Sequence, residues 1–460
     1  MTATLSDLKK WYTSNENKLK DDLFSFLRFK SISTDPIHKK DSLACADFLL
    51  KLLKEAGLKG ELIETPNYPL VYAENLSAGP NAPTVLLYGH YDVQPVDPLE
   101  LWESDPFEPK LVGKTVFARG AQDNKGQIFY SLMAVKALLT LQKKLPVNLK
   151  ICIEGEEESA SAGFTKVLPR LKDKLKADVI LVPDFDIPDM ETPAVTMGMR
   201  GIVTMELVLK SSNSDLHSGQ HGGIVLNPNR ALVDVLSGLW DKEGRVQIPK
   251  FYEDVVELSP KEKKALWLNF DEKEYQKEWG VEAWGNEHGY SVLESNWIRP
   301  TLEVNGLGGG YFGKGFKTVI PAKATAKISC RLVPNQDPQK ILTILKNYLK
   351  AKIPKGIKAE YTDFGTGKPV RTPVSSAAAD SVASAYTEIF NKPCQKILTG
   401  GSVPIIGDMV HTLNAEAVMF GVGLDTDRIH APNEHFSLDR VEKGYLVVAR
   451  ILQILGDKKR

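Results

Sequence analysis

TVLLYG at residues 84–89 is a continuous apolar run that ends at a glycine, and His90 and Asp92 follow it directly. A strand that is apolar on both faces is typical of a sheet that is covered on both sides. Two similar runs, LKICI at 149–153 and DVILV at 178–182, come later in the chain. Because helical patterns separate these strands, they predict an α/β layer whose loops lie at the carboxyl ends of the strands.

Helical patterns surround the predicted strands on both sides of the chain. Apolar residues recur at the three-to-four spacing of an amphipathic helix in five segments: 8–29, 42–56, 126–142, 377–390 and 438–455. A further apolar strand is predicted near 417–422. The helix at 377–390, the strand at 417–422 and the helix at 438–455 return to the α/β pattern. We therefore expect one α/β domain built from two segments of the chain.

Between the two segments the pattern changes, beginning with the strictly alternating run VTMELVLK at 203–210. The predicted elements are, in order, a strand at 203–210, a helix at 229–240, a strand between 301 and 307, a strand at 324–332, a helix at 338–351 and a strand at 358–363. This β-α-β-β-α-β order is that of a ferredoxin-like unit. We therefore expect a separate, smaller α+β domain inserted into the α/β domain.

Composition limits the class of protein. The chain has 460 residues, of which 42% are hydrophobic, and its 58 lysines and arginines balance 58 acidic residues. A balanced charge gives no basic surface for a nucleic acid or an anionic membrane. No apolar run approaches the roughly 18 residues of a membrane span, and the N-terminal segment lacks the apolar stretch of a signal peptide. With four widely separated cysteines, we expect a cytoplasmic protein with free thiols.

Side chains of the types that bind metal ions follow the predicted strands. In chain order they are His90, Asp92, Asp123, the glutamates of IEGEEESAS at 153–161, Asp184 and His430. In an open α/β sheet, the loops at the carboxyl ends of the strands converge on the ligand crevice. Five separate segments are therefore expected to bring histidine, aspartate and glutamate side chains to one place.

Seven motifs occur along the chain in a fixed order: GHYDVQP, ARGAQDNKG, EGEEESAS, VPDFD, SDLHSG, TVIPAKATAKISCRLVPN and TGGSVPIIGD. Together they resemble the dinuclear zinc metallopeptidase family of cytosolic nonspecific dipeptidase (carnosinase-like), succinyl-diaminopimelate desuccinylase and aminoacylase, and they are most similar to its dipeptidase branch. The resemblance implies a metal-binding catalytic domain at residues 1–200 and 372–460 and an inserted lid and dimerisation domain at residues 201–371.

The resemblance also implies the metal ligands. One divalent ion would be held by His90, Asp123 and Asp184, and the other by Asp123, Glu158 and His430, with Asp123 bridging the two. Two imidazoles and three carboxylates suit zinc, with manganese or cobalt as the alternatives. In this family the peptide bond after the bridging aspartate is cis, which is here the bond between Asp123 and Asn124.

Under the same resemblance the glutamates of the run take different roles. Glu157 would be the general base that takes a proton from water and passes it to the leaving amine, and Glu158 would bind metal. Glu156 occupies a free position and Glu154 a structural one, but the residues alone leave open a one-residue shift that makes Glu156 the base. Asp92 would assist catalysis by accepting the other ring N–H of the preceding histidine ligand.

Three residues of the implied lid and substrate site complete the set. His217 in SDLHSG would reach the partner subunit's site in a homodimer and stabilise the oxyanion. Arg331 in SCRLVPN would bind the substrate carboxylate, for which a planar guanidinium is suited. Ser402 in TGGSVP would bind the substrate backbone.

The expected function is metal-dependent hydrolysis of the amide bond of dipeptides or short peptides. The sequence departs from the dipeptidase branch where Leu398 and Thr399 stand in place of an arginine–glutamate pair and Gly365 in place of a histidine. An N-acyl or N-succinyl amino acid deacylase with the same site is one alternative, since it also cleaves an amide beside a carboxylate. A catalytically inactive relative is another, and it predicts the loss of ligands that this sequence retains.

Overall fold

The computed structural model describes residues 2–284 and 287–458. The chain forms two compact units, of which the first comprises Met1–Met197, Thr372–Ile397 and Asp408–Arg460 and the second comprises Gly198–Arg371 and Leu398–Gly407. The segment Leu398–Gly407 belongs to the second unit, whereas the family resemblance placed it with the rest of residues 372–460 in the first. As a division between a catalytic domain and a lid, the bounds at residues 200 and 372 stay a prediction.

The first unit is built on a mixed sheet. Its strands lie in the spatial order Lys59–Ile63, Leu70–Asn75, Asn148–Glu154, Thr84–His90, Val179–Pro183, Glu416–Phe420 and Ala194–Met199. The four strands from Asn148–Glu154 to Glu416–Phe420 are parallel to one another. All seven side chains of Asn148–Glu154 are buried, as the apolar run LKICI predicted for a sheet covered on both faces.

Helices cover this sheet and confirm the predicted helical segments. Those of the first unit are Leu5–Leu27, Lys39–Glu55, Lys125–Gln142, Ala162–Val167, Lys172–Leu175, Ala377–Phe390 and Leu438–Asp457, while Pro404–Leu413 begins in the second unit. Leu5–Leu27 starts at a capping box, in which the Thr4 hydroxyl accepts the N–H of Asp7 and the Asp7 carboxylate accepts the N–H of Thr4. Such a box satisfies donors that the first helical turn leaves unpaired.

The sequence did not predict the short strands at the sheet margins. Besides Lys59–Ile63 and Leu70–Asn75, these include a three-stranded sheet of Lys110–Val112, Thr115–Phe117 and His435–Ser437. All three side chains of Lys110–Val112 are exposed, so they show no alternation of buried and exposed positions. Hydrogen bonding to neighbouring strands, rather than a local pattern of apolar residues, determines where these strands form.

The second unit has the predicted ferredoxin-like order. Its four strands lie in the order Thr301–Gly308, Lys323–Leu332, Gly201–Lys210 and Lys358–Gly367, and all neighbours are antiparallel. Gly201–Lys210 alternates between buried and half-buried side chains along its whole length. Helices Pro228–Ser237 and Pro338–Lys352 bury their apolar faces on this sheet, where Leu232 and Leu345 join one core with Val203 and Ile328.

Shorter elements complete the second unit. They are the helices Ser218–His221, Pro260–Ala265, Glu272–Trp279 and Val292–Trp297 and the strands Leu216–His217, Val319–Ile320 and Val370–Arg371; Gln395–Thr399 begins in the first unit and ends in the second. Among the helices of the described chain, none has the length and apolar character that crossing a bilayer requires.

Candidate metal centre

The parallel strands of the first unit end at one edge of the sheet, and candidate ligands follow each end. Thr84–His90 ends at its histidine, and Asn148–Glu154 leads into the one-turn helix Glu157–Ser159. Val179–Pro183 is followed at once by Asp184. The topology of the sheet therefore brings together side chains that are far apart in sequence.

Two groups of three side chains meet at this edge. Ligand atoms of His90, Asp123 and Asp184 lie within 4.8 Å of one another, and so do those of Asp123, Glu158 and His430. The two triads share Asp123. The structure thus brings together all five side chains that the sequence predicted as metal ligands.

Asp123 lies between the two histidines. Its Oδ1 is 3.2 Å from His90 Nε2, and its Oδ2 is 2.9 Å from His430 Nε2. Asp184 Oδ2 is 3.7 Å from His90 Nε2, and Glu158 Oε2 is 3.4 Å from His430 Nε2. A carboxylate that faces a different imidazole with each oxygen has the arrangement of a bridging ligand.

Two buried polar atoms of these triads have no hydrogen-bond partner among the described residues, which indicates that the site binds an ion or molecule. Within the described chain, His90 Nε2 and Glu158 Oε1 are buried and have no hydrogen-bond partner. A buried polar group left without a partner costs about 1–3 kcal/mol, so such atoms mark a place where a ligand would compensate. The imidazole and carboxylate donors fit a divalent ion such as zinc or manganese.

The electrostatics of the site also favour positive charge. Burial, followed by the nearby Asp123 charge, raises the pKa of Glu158 to about 7. Burial raises the pKa of Asp184 to about 6. Hydrogen bonds to Asp123 and Glu158 raise the pKa of His430 to about 10. Each group therefore holds a proton more tightly than it would in water, and a metal ion would take the place of those protons.

Asp92 joins the first histidine to the glutamate turn. Its Oδ1 accepts the N–H of Glu157 at 3.1 Å, and its Oδ2 accepts the N–H of Glu158 at 3.0 Å. His90 Nδ1 lies 3.1 Å from the Asp92 carbonyl oxygen and 3.4 Å from Asp92 Oδ1. The sequence assigned the imidazole contact to the Asp92 carboxylate, whereas the structure gives the shorter contact to its main-chain oxygen and uses the carboxylate to fix the turn.

Two glutamates of the run are occupied elsewhere. Glu156 Oε2 accepts a hydrogen bond from Asn67 Nδ2 at 2.6 Å, and its Oε1 accepts the N–H of Phe164 at 3.0 Å. Glu154 Oε1 accepts the Tyr88 hydroxyl at 2.7 Å, and burial raises the pKa of Glu154 to about 8. Both side chains are therefore tied to the protein frame.

Glu157 differs from both. In the part of the chain that the structure describes, its carboxylate makes no hydrogen bond, although its main-chain N–H is held by Asp92. Burial raises its pKa well above the usual value. A held backbone with an uncommitted carboxyl group is what a proton-transferring residue requires.

Sequence reasoning missed the residues that hold the ligands in place. Asn124 Nδ2 donates to Asp184 Oδ1 at 2.5 Å, and Asn124 Oδ1 accepts the N–H of His90 at 3.3 Å. Gln94 Nε2 donates to Glu158 Oε2 at 2.6 Å. Gln94 lies in the motif GHYDVQP and Asn124 in the motif ARGAQDNKG. Each motif also contains a predicted metal ligand, and this proximity in sequence could have indicated their role.

The loop that carries Asp123 has two further features. Its peptide bond to Asn124 is cis, as the resemblance implies. Its N–H donates to the carboxylate of Glu434 at 3.1 Å. Glu434 lies four residues after His430, and no local pattern marks it because its contacts are distant in sequence.

The predicted substrate residues lie in the second unit. Arg331 Nη1 donates to Ser402 Oγ at 2.8 Å, and Ser402 Oγ donates to the carbonyl oxygen of Arg200 at 2.5 Å. The structure therefore brings Arg331 and Ser402 together. His217 is exposed at the end of Leu216–His217, and its Nδ1 accepts the N–H of Gly219 at 3.1 Å.

Comparison with known proteins decides the family. Residues 86–454 match the family described as Peptidase family M20/M25/M40. The chain belongs to this M20 family. The match extends over the strands and turns that carry both triads, and it confirms the family predicted from the motifs.

Relatives within M20 are dipeptidases by name. Beta-Ala-His dipeptidase of Rattus norvegicus is 30% identical over 383 residues, which are 82% of this chain and 77% of the relative. Cys-Gly metallodipeptidase dug1 of Schizosaccharomyces pombe is 29% identical over 436 residues, which are 90% of both chains. These relatives confirm the similarity to the dipeptidase branch.

Solved M20 structures share the whole fold. A metallo-carboxypeptidase of Sulfolobus solfataricus superposes with a TM-score of 0.87 at 34% identity, covering 95% of this chain and 99% of that one. The dipeptidase Dug1p of Saccharomyces cerevisiae gives a TM-score of 0.87 at 26% identity and covers both chains fully, at 100%. The predicted fold class is confirmed, and this M20 chain is a metallopeptidase, an enzyme that hydrolyses peptides with divalent metal ions.

Proposed function

We propose that this M20 enzyme hydrolyses the amide bond of dipeptides and other short peptides with two divalent metal ions, one in each triad. The observation that carries the proposal is the shared carboxylate of Asp123, whose oxygens lie 3.2 Å from His90 Nε2 and 2.9 Å from His430 Nε2. A site for one ion needs only one of these contacts. Zinc is the first choice for such a donor set, and manganese and cobalt are the alternatives.

The reaction follows from the positions of the chain's own groups. Divalent ions held by the two triads would make a nearby water more acidic and would polarise the scissile carbonyl. Glu157 is the proposed general base, which takes the proton of the attacking water and delivers it to the leaving amine nitrogen as the C–N bond breaks. Glu156 is a poor candidate because both of its oxygens are hydrogen-bonded.

The substrate is proposed to be held by its free carboxylate. Burial lowers the pKa of Arg331, and in the described chain this guanidinium makes no ion pair with an acidic side chain. Its Nη1 is positioned by Ser402, which leaves the rest of the planar fork for a ligand carboxylate. A carboxyl-end requirement agrees with small peptides as substrates.

A carboxyl-end exopeptidase on longer peptides is the second candidate. The observation that favours it is the 34% identity with the metallo-carboxypeptidase of Sulfolobus solfataricus, compared with 26% for Dug1p. Both activities would use the same metal centre and the same contact with a free carboxylate, so peptide length is what separates them.

A substrate panel tests the proposed function. We expect metal-loaded enzyme to hydrolyse dipeptides faster than tripeptides, and N-acyl amino acids more slowly still. Amidation of the dipeptide carboxylate should lower kcat/KM by about 10- to 100-fold because a hydrogen-bonded charge is lost. Arg331→Met should remove most of that difference. Faster cleavage of long peptides would establish the carboxypeptidase, and a preference for N-acyl amino acids would contradict peptide hydrolysis as the main activity.

We further propose a homodimer in which His217 completes the partner subunit's site. Because His217 Nδ1 accepts the N–H of Gly219, Nε2 is the ring nitrogen left to donate a hydrogen bond. An exposed ring with a donor Nε2–H is suited to stabilise an oxyanion on a second chain.

A cytoplasmic location is also proposed, and this proposal rests on composition.

Subunit exchange tests the role of His217. Inactive His217→Ala and Glu157→Gln homodimers, mixed in equal amounts, should recover about a quarter of wild-type activity, since half of the dimers are then mixed and each has one intact site. The control is either variant taken alone through the same exchange procedure. Full activity of His217→Ala alone, or no recovery despite demonstrated exchange, would contradict a site shared between subunits.

A further inference from the structure

A buried glutamate outside the ligand set connects two segments that carry ligands. Glu434 follows His430 by four residues, and its side chain is fully buried, at 0% exposure. Its carboxylate accepts four hydrogen bonds, which come from Arg119 Nη1 at 2.8 Å and from the main-chain N–H groups of Gly120 at 2.9 Å, Gln122 at 3.0 Å and Asp123 at 3.1 Å. One side chain therefore binds the whole loop that ends in the shared ligand.

These hydrogen bonds fix the backbone of the loop. Burying an ionised carboxylate is costly unless several donors compensate it, and here three of the donors are main-chain groups of the loop itself. The main chain of Glu434 also takes part, since its carbonyl oxygen accepts the N–H of Ala118 at 3.1 Å. This contact continues the strand pair of Thr115–Phe117 with His435–Ser437. The carboxylate and the carbonyl oxygen of Glu434 thus fix residues 118–123 against the segment that follows His430.

We propose that Glu434 is a positioning residue that sets Asp123 relative to His430 and thereby holds both triads in place. The inference rests on the proposed metal centre. Because Asp123 belongs to both triads, a shift of its backbone moves one ligand of each ion. Removing a partner that orients a metal ligand typically lowers metal affinity by about 10- to 100-fold, so loss of Glu434 should weaken both ions together.

Glu434→Gln is the direct test. The amide keeps the size of the side chain but replaces one acceptor oxygen with an NH₂ group, which would face N–H donors of the loop. Titration of the metal-free protein with Zn²⁺ against a competing chelator should show both dissociation constants raised by about 10- to 100-fold. Thermal unfolding of the metal-free variant should still be a single cooperative transition.

Glu154→Gln is the matched control. Glu154 is also fully buried, but its carboxylate accepts the Tyr88 hydroxyl and, within the residues that the structure describes, no hydrogen bond from the Asp123 loop. Both dissociation constants should remain those of the wild type. If Glu434→Gln does not fold, Arg119→Gln replaces it, since it removes one of the four donors and keeps the three main-chain ones; a smaller rise of both constants supports the proposal, and unchanged constants overturn it.

The outcomes separate this inference from the proposed function. A folded Glu434→Gln that binds Zn²⁺ as the wild type does, with only a lower unfolding temperature, makes Glu434 a purely structural residue and overturns the inference. Weakening of one ion alone also overturns it, because the shared ligand affects both. A wild-type protein that binds none of zinc, manganese or cobalt overturns the metal centre itself.

Discussion

Glu157→Gln is expected to retain both metal ions and to lower kcat for a dipeptide by about 10²- to 10⁴-fold, the usual contribution of a general base. The amide has nearly the size of the carboxylate but cannot take a proton from water. Its main-chain N–H would still be held by Asp92, so the turn and the neighbouring ligand should stay in place. Metal content of the purified variant and steady-state kinetics on one dipeptide measure the two effects separately.

Glu156→Gln is the matched control for this prediction. Its carboxylate accepts hydrogen bonds from Asn67 and from the N–H of Phe164, so the variant should lose stability, by about 1–3 kcal/mol for a buried group left unsatisfied, and keep most of its kcat. The reverse pattern, with Glu156→Gln inactive and Glu157→Gln active, would show that the base is one residue earlier in the run.

Asp123→Ala is expected to lose both metal ions and at least about 10³-fold in kcat/KM, since metal ions contribute several kcal/mol to such reactions. The reason is that Asp123 supplies an atom to each triad. Glu158→Ala removes a ligand from one triad only and should retain about one ion per chain. Metal analysis after gel filtration, with the metal-free wild type as a folding control, compares the two variants.

The comparison between these variants decides whether the carboxylate is shared. If Asp123→Ala keeps one tightly bound ion, as Glu158→Ala does, then Asp123 serves a single ion and the two triads are not one centre. Loss of both ions from Glu158→Ala would equally contradict two sites joined at Asp123.

Much of the fold could be predicted because its central elements carry strong local patterns. The apolar run TVLLYG begins the strand Thr84–His90 where expected, and the spacing of apolar residues over 377–390 gives the helix Ala377–Phe390. That helix also has a capping serine, Ser376, whose side chain accepts the N–H of Ala379. Local propensity and tertiary packing favour the same structure in these elements, and for that reason the sequence alone predicts them.

The grouping of the five candidate ligands was also accessible from the sequence. Each candidate ligand follows the end of a predicted strand or lies in a motif of the family, and the parallel sheet gathers those ends at one edge. The register within IEGEEESAS was the part left open. Contacts from Asn67 and Phe164 to Glu156, together with those from Asp92 to the turn, distinguish the glutamates, and those contacts arise only after the chain has folded.

What could not be predicted depends on distant partners. Glu434 and Gln122 are 312 positions apart in the chain yet share a hydrogen bond, and no periodicity connects them. The segment Leu398–Gly407 belongs to the second unit, where Ser402 bonds the carbonyl of Arg200, 202 positions earlier. Local patterns predict which face of a helix or strand is buried, but they do not predict which other element packs against that face.

The most direct test of a two-ion centre is a titration of metal-free enzyme with Zn²⁺ in which bound metal and dipeptide hydrolysis are followed together. Two triads that share Asp123 predict binding that saturates at about two ions per chain, with activity reaching its plateau only when the second ion is bound. Full activity in the absence of bound metal, or a plateau of both binding and activity at one ion per chain, would contradict the account.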